Sequence, residues 1–193
     1  MAAANRIHIL GCRILLYLSL VRLMNDKREI DGLVIREVEP ADHEGIERIT
    51  LSVFGPSTFE RNVEEIYGRI GGKDWKWRKM RHLASDLADP CGRCLVADLD
   101  GAVVGYVTIK LDAEAAIGVI PNLAVESDFA GFGIGSKLID SAVKVMTQAG
   151  MEVARIETLE QNQIGQHLYP KQGFTEFARQ IYFAKDLKVQ DGQ

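Results

Sequence analysis

The run from Leu123 to Lys137, Leu-Ala-Val-Glu-Ser-Asp-Phe-Ala-Gly-Phe-Gly-Ile-Gly-Ser-Lys, restricts this chain more than any other stretch. A strand-like apolar triplet runs into three alternate glycines. Behind them Ile134, Leu138, Ala142, Val145 and Met146 repeat at helical spacing as far as Gln148, and Gly150 stands where a helix-ending glycine belongs. Strand, glycine turn and helix in that order predict an α/β domain. The first N–H groups of such a helix have no intrahelical partner, and the positive end of its dipole lies behind them. Glycines in front let a phosphate approach the backbone with no Cβ in the way, so the segment reads as an anion site. Ser136 and Lys137 add a hydroxyl and a positive charge.

The spacing excludes two common phosphate loops. The nucleotide P-loop needs a Lys-Ser/Thr pair straight after its last glycine, and Ser136 precedes Lys137 here. The dinucleotide fingerprint G-x-G-x-x-G fails because no glycine stands three residues after Gly133.

The rest of the chain reads as one domain from residue 33 to 187. Leu33 to Val38 alternates as a half-buried strand, and Pro40-Ala-Asp42 breaks it, with Asp42 placed to cap a helix running to about Val53. Ser57 opens a second helical stretch with Phe59, Val63, Ile66 and Tyr67 on its apolar side. After Gly71-Gly72 a third carries Trp75, Trp77, Met80 and Leu83. The tryptophans pack that helix on a sheet, the commoner arrangement, or line a cleft.

A meander follows: Cys94–Leu99, a tight turn at Asp100-Gly101, Ala102–Leu111 and Ala116–Val125. Beyond the glycine turn and its helix come a strand at Ala154–Leu159, a helix at Gln161–Gln172 ended by Gly173, and an extended stretch at Phe174–Leu187 forming one long strand or two shorter ones.

The later segment identifies the phosphate ligand. After Arg155-Ile-Glu157-Thr-Leu159 stand Asn162 and then Leu168-Tyr169-Pro-Lys-Gln-Gly173-Phe174. With the glycine turn, this resembles the GCN5-related N-acetyltransferase superfamily over residues 33 to 187, most strongly from Asn122 to Phe174. The resemblance implies an α/β (α+β mixed) fold with a central, mostly antiparallel sheet of 6–7 strands, splayed in its middle, and about four flanking helices. It also implies acetyl-coenzyme A as cosubstrate and an amine acceptor.

By the same resemblance, the diphosphate would be held at Ala130, Gly131, Phe132, Gly133, Ile134, Gly135 and Ser136. Ala130 stands where the family usually has Arg or Gln, so a side-chain contact is lost there. Leu123, Ala124 and Val125 would pair with the pantetheine arm through their backbone, and Asn162 would contact the cosubstrate. Tyr169 would lie near the thioester sulfur as general acid.

Transfer to an amine also needs the amine deprotonated at neutral pH. Glu157 is expected to be that base, directly or through a water; an exposed or ion-paired glutamate, bonded to Arg155 or Lys185, is the other reading. No histidine of His43, His82 and His167 is assigned a role, and Glu60, Glu64 and Glu65 form either an acidic lip for a cationic amine or a solvated helix face.

A net charge of −4 argues against duplex nucleic acid as partner, with Lys73 to Arg81 the one basic stretch. Three cysteines, Cys12, Cys91 and Cys94, give no disulfide framework and point to a reducing, cytoplasmic setting; the lone C-x-x-C lacks a second ligand pair for a metal. Residues 1–32 read as an N-terminal extension. Either Met24 is the working start or the apolar run Ile7–Leu23, interrupted by Arg13 and Arg22, is a dispensable or targeting segment; no membrane association is expected of the folded domain. Residues 188–193 read as a tail. Pairing of two copies stays open. The alternative to catalysis is a non-catalytic acyl-CoA-binding module, for which Ala130 speaks.

Overall fold

A computed structural model describes residues 30–56 and 58–188. The expectations for the N-terminal extension, Cys12, the helix opening at Ser57 and the last tail residues lie outside the described residues.

The described chain forms one five-stranded sheet in the order β1 (Leu33–Glu37), β2 (Gly92–Leu99), β3 (Ala102–Asp112), β4 (Ile117–Val125) and β5 (Val153–Ile156). The first three pairings are antiparallel and β4–β5 is parallel. Five α-helices cover it: α1 (His43–Val53), α2 (Phe59–Tyr67), α3 (Trp75–Leu87), α4 (Ile134–Gln148) and α5 (Gln163–Lys171).

Period-two alternation decides which side chain meets which layer. On β2, Leu95 and Ala97 turn to α4, where Ile134, Leu138, Ala142 and Met146 meet them; Cys94 and Val96 turn to Ile46 and Ile49 of α1 and Leu83 of α3. Both faces are covered, which is why β3 reads as a continuous apolar run. The register skips between Ala97 and Asp98, and Gly105 lies there with Ala124 O only 3.0 Å from where a Cβ would stand.

The Asp100-Gly101 turn is formed with φ of 51° and 86°, as the hairpin signal requires. Gly150 ends α4 at φ 80°, and Met151 N donates to Met146 O at 3.0 Å.

Four expectations need correction. The sheet has five strands among the described residues, not 6–7, while the five flanking α-helices accord with the expectation of about four. The strand or strands expected at Phe174–Leu187 do not form among the described residues. This segment instead lies beside α2, where Tyr67 Oη donates to Ala184 O at 2.8 Å and Tyr182 meets the Phe59 ring, so β5 is left as an edge. The fifth strand stops at Ile156 instead of Leu159, because β4 pairs with it only from Ile117 to Ile120. Finally, Asp42 does not cap α1: its carboxylate accepts from Arg36 at 2.6 and 2.9 Å and from Glu39 N at 2.7 Å, which holds its pKa below the ordinary carboxylate range.

Candidate functional site

The glycine turn has the backbone that its sequence demands. Gly131 and Gly133 sit at φ 82° and 76°, where a side chain is strained, and a Cβ on either would meet no protein atom within 4 Å. Both faces are therefore open to a ligand. Gly133 is the N-cap of α4 and no side chain caps the helix; its first hydrogen bond is Lys137 N to Gly133 O at 3.1 Å. The N–H groups of Ile134, Gly135 and Ser136 precede that bond, with the helix dipole behind them. Ala130 is exposed and its N–H is engaged by Ser127 O, so it contributes no free donor.

A parted sheet adjoins this turn. β4 leaves β5 after Ile120, while its other side stays paired with β3 as far as Gly105–Val125. Glu126 N donates to Val104 O at 2.9 Å, which fixes the alternation: Ala124 and Glu126 direct their backbone groups to β3, whereas Leu123 and Val125 direct theirs to the unpaired edge. The result is a gap edged by the backbone groups of Leu123 and Val125, with Val125 beside Gly135.

Helix α5 closes the far side. A Cβ on Gly135 would stand 3.3 Å from Leu168, and Gln172 Nε2 donates to Ser136 Oγ at 2.9 Å. Tyr169, on that same turn of α5, packs edge-on against Phe174, whose ring reaches the core. Burial alone pushes the Tyr169 hydroxyl up to about 12, so it stays protonated at neutral pH and able to donate. Asn162 has a local duty: it caps α5 by accepting from Gly165 N at 3.1 Å and donates to Thr158 Oγ1 at 2.9 Å.

Glu157 stands just past the end of β5. Its side chain is 65% exposed and pairs with Arg155 at 3.1 Å, the ion-paired alternative of the sequence reading. Thus the structure sets the glycine turn beside Val125 and against Leu168 and Gln172, the neighbours of Tyr169 in sequence, and leaves Glu157 at the solvent.

A second concavity of about 620 Å³ lies among α1, α2 and α3, lined by Leu51, Gly55, Arg61, Glu64, Glu65 and Trp75 among others. Trp75 is therefore a cleft wall, while Trp77 is exposed under Lys73 and Arg81. Glu60 is on neither lip nor solvated face: it is buried, bonded to Thr58 and, at 2.6 Å, to His82. Sequence reasoning also missed Lys79, which lies inside the protein within the basic stretch and donates to Asn122 Oδ1 at 2.7 Å.

Cys91 and Cys94 are free thiols, and burial pushes that of Cys94 up to about 12, out of reactive range. Among the described residues no cluster of three or more metal-ligating side chains occurs, and no helix is long and apolar enough to cross a membrane.

The arrangement is a helix N-terminus behind open glycines, beside a strand parted from its neighbour. The chain belongs to the Acetyltransferase (GNAT) family, which residues 60–174 match. It is similar to a mycothiol acetyltransferase of Propionibacterium freudenreichii, 29% identical over 56% of this chain and 36% of that protein. It is also similar to an IAA acetyltransferase of Azospirillum brasilense, 33% identical over 47% of this chain and 59% of that protein. The chain thus spans between about a third and three fifths of the length of these relatives.

Two solved structures share the fold. The aminoglycoside acetyltransferase AAC(6')-Iy, with a CoA bisubstrate analogue, has a TM-score of 0.57 at 17% identity over 80% of this chain and 98% of that one. Glucosamine-6-phosphate N-acetyltransferase from Arabidopsis thaliana has a TM-score of 0.56 at 14% identity over 81% and 100%.

Proposed function

We propose that the protein transfers the acetyl group of acetyl-CoA to a primary amine by direct attack in a ternary complex, in the cytoplasm. One observation carries this reading: the outward backbone groups of Leu123 and Val125 edge a gap that runs from the open glycine turn to the helix bearing Tyr169. The donor set suits acetyl-CoA. The amides of Gly131, Gly133, Ile134, Gly135 and Ser136 answer a diphosphate, and an unpaired strand edge answers the amides of pantetheine, as an added strand would.

Each chemical requirement then has a residue. The Leu123 or Val125 N–H polarises the thioester carbonyl as charge develops on its oxygen. The amine nitrogen bonds to the carbonyl carbon and the carbon–sulfur bond breaks. Tyr169 gives its proton to the departing sulfur and regains one from solvent. Glu157 takes the proton of the amine through a water, its exposed carboxylate being paired with Arg155 and otherwise open to solvent among the described residues. The acceptor approaches from the α1–α3 cleft, whose wall presents the Trp75 face beside Glu64 and Glu65, paired with Arg78 and Arg61.

The named relatives act on different acceptors, so the acceptor is sought by screening. Peptide N-termini, lysine, polyamines, amino acids and aminoglycosides would be offered with acetyl-CoA while thiol release is followed. Release with one class supports the reading. Ala130 favours one alternative, a non-catalytic acyl-CoA-binding module, because a side-chain contact to the diphosphate is missing. That alternative predicts thermal stabilisation by acetyl-CoA and CoA with no thiol release from any amine, whereas no response to either ligand contradicts both.

A further inference from the structure

The gap beside Leu123 depends on where β4 turns away from its neighbours, and that point is poorly held by the sheet itself. Pairing with β5 ends at Ile120, and the ladder with β3 is irregular between Thr108 and Lys110. A strand with one bare edge and a bulge on the other has little to fix its direction. Asn122 occupies this point and is 3% exposed.

Every polar atom of the Asn122 side chain is engaged. Its Nδ2 donates to Thr108 Oγ1 at 2.8 Å and to Asp86 Oδ2 at 2.7 Å, and the backbone N–H of Asn122 donates to the same Thr108 oxygen at 3.1 Å. Oδ1 accepts from Lys79 Nζ at 2.7 Å. A carboxylate on one side and an ammonium on the other allow only one orientation of the amide. Asp86 also binds Lys110 at 2.7 Å, so α3 grips both strands across the irregularity. Lys79 itself is held over the Phe54 ring at 3.9 Å. One turn earlier on the same side of α3, Trp75 lines the cleft.

We infer that Lys79 and Asn122 are positioning residues that fix the parting point of β4 and thereby aim the Leu123 and Val125 N–H groups into the gap, an inference that rests on the acetyl-CoA site proposed above. Lys79 touches no reacting atom. It acts through Asn122, one residue before Leu123, and couples the helix that walls the cleft to the strand that polarises the thioester. Loss of the brace leaves the glycine turn intact, so the diphosphate grip persists while the carbonyl is held less well.

The test uses acetyl-CoA labelled with ¹³C at the carbonyl, bound to the wild-type chain and to Lys79→Met. The displacement of the carbonyl resonance from that of free acetyl-CoA reports the hydrogen bond without any acceptor. Expected for Lys79→Met are CoA affinity within about twofold, a carbonyl resonance returned towards that of free acetyl-CoA, and thiol release to an accepted amine reduced roughly 10- to 100-fold, as expected for a small misplacement. Lys79→Arg should restore most of the displacement. Should Lys79→Met not fold, Asp86→Asn, which weakens the same brace from the other side, is read in the same way. A folded, CoA-binding variant whose carbonyl resonance matches wild type overturns the brace alone. A wild-type chain that does not bind acetyl-CoA overturns the site reading and the brace with it.

Discussion

Gln172, the C-cap of α5, donates to the Ser136 hydroxyl in the first turn of α4 at 2.9 Å, tying the helix that carries Tyr169 to the helix that opens behind the glycine turn. The two ends of the proposed acetyl-CoA site are thereby held at a fixed separation by residues 36 positions apart. Gln172→Ala should cost about 1 kcal/mol of stability, the worth of one hydrogen bond. Its effect on turnover should exceed its effect on CoA affinity, because α5 moves and the glycine turn does not. Denaturant unfolding beside steady-state kinetics checks both.

Tyr169→Phe tests the proton donor. Turnover should fall roughly 10- to 1000-fold with little change in the acetyl-CoA KM. The hydroxyl's folded-state pKa of about 12 lies above its ordinary 10.0. The neutral phenol therefore adds stability that is complete below pH 10.0 and lost as pH rises towards about 12. That alkaline loss should be smaller in the phenylalanine variant, and pH-dependent unfolding reads it.

Gly133→Ala separates backbone strain from ligand access. At φ 76° an alanine is strained by about 1 kcal/mol, yet its methyl would meet no protein atom within 4 Å. The fold should survive with that modest loss, while CoA affinity falls by a factor on the order of ten from added strain and a blocked approach. Calorimetric titration with CoA would show it; unchanged affinity would mean the turn does not face the diphosphate.

The extent to which the site is readable from sequence follows from how local each signal is. Gly131, Gly133 and the period of α4 are local demands on backbone conformation and on one helix face, and they appear where the sequence puts them. Tyr169 and the glycine turn belong to separate segments, which the contacts of Leu168 with Gly135 and of Gln172 with Ser136 link. Glu157 reads as a strand residue from Arg155-Ile-Glu157, yet the strand ends at Ile156 because β4 withdraws its edge there. Phe174–Leu187 reads as extended, but its residues meet Phe59 and Tyr67 of α2 rather than a strand edge. Lys79 stood unnoticed in a basic stretch because its burial depends on Asn122, 43 positions away, and on the Phe54 ring.

Asp42→Asn tests the joint at the start of the domain, where Arg36 reaches both Asp42 and Asp98. Losing the charge-assisted bonds should cost about 2 kcal/mol at neutral pH. The Asp42 pKa is lowered from its ordinary 3.8, chiefly by Arg36, so its contribution is complete above pH 3.8 and disappears as pH falls through the lower folded-state value. The gap between wild type and variant should close over that acid range in pH-dependent unfolding.

Glu157→Gln tests the base. If a water links this carboxylate to the amine, turnover should fall roughly 10- to 100-fold, and the rising limb of the pH–rate profile should shift or vanish. An unchanged rate and profile would assign Glu157 to its ion pair with Arg155 alone.

The most direct measurement is an amide NMR titration of the wild-type chain with CoA and with acetyl-CoA. The account predicts that both ligands perturb the N–H groups of Gly131, Gly133, Ile134, Gly135 and Ser136, and that Leu123 or Val125 responds further when the acetyl group is present. Perturbations clustered elsewhere, or none at saturating acetyl-CoA, would contradict it.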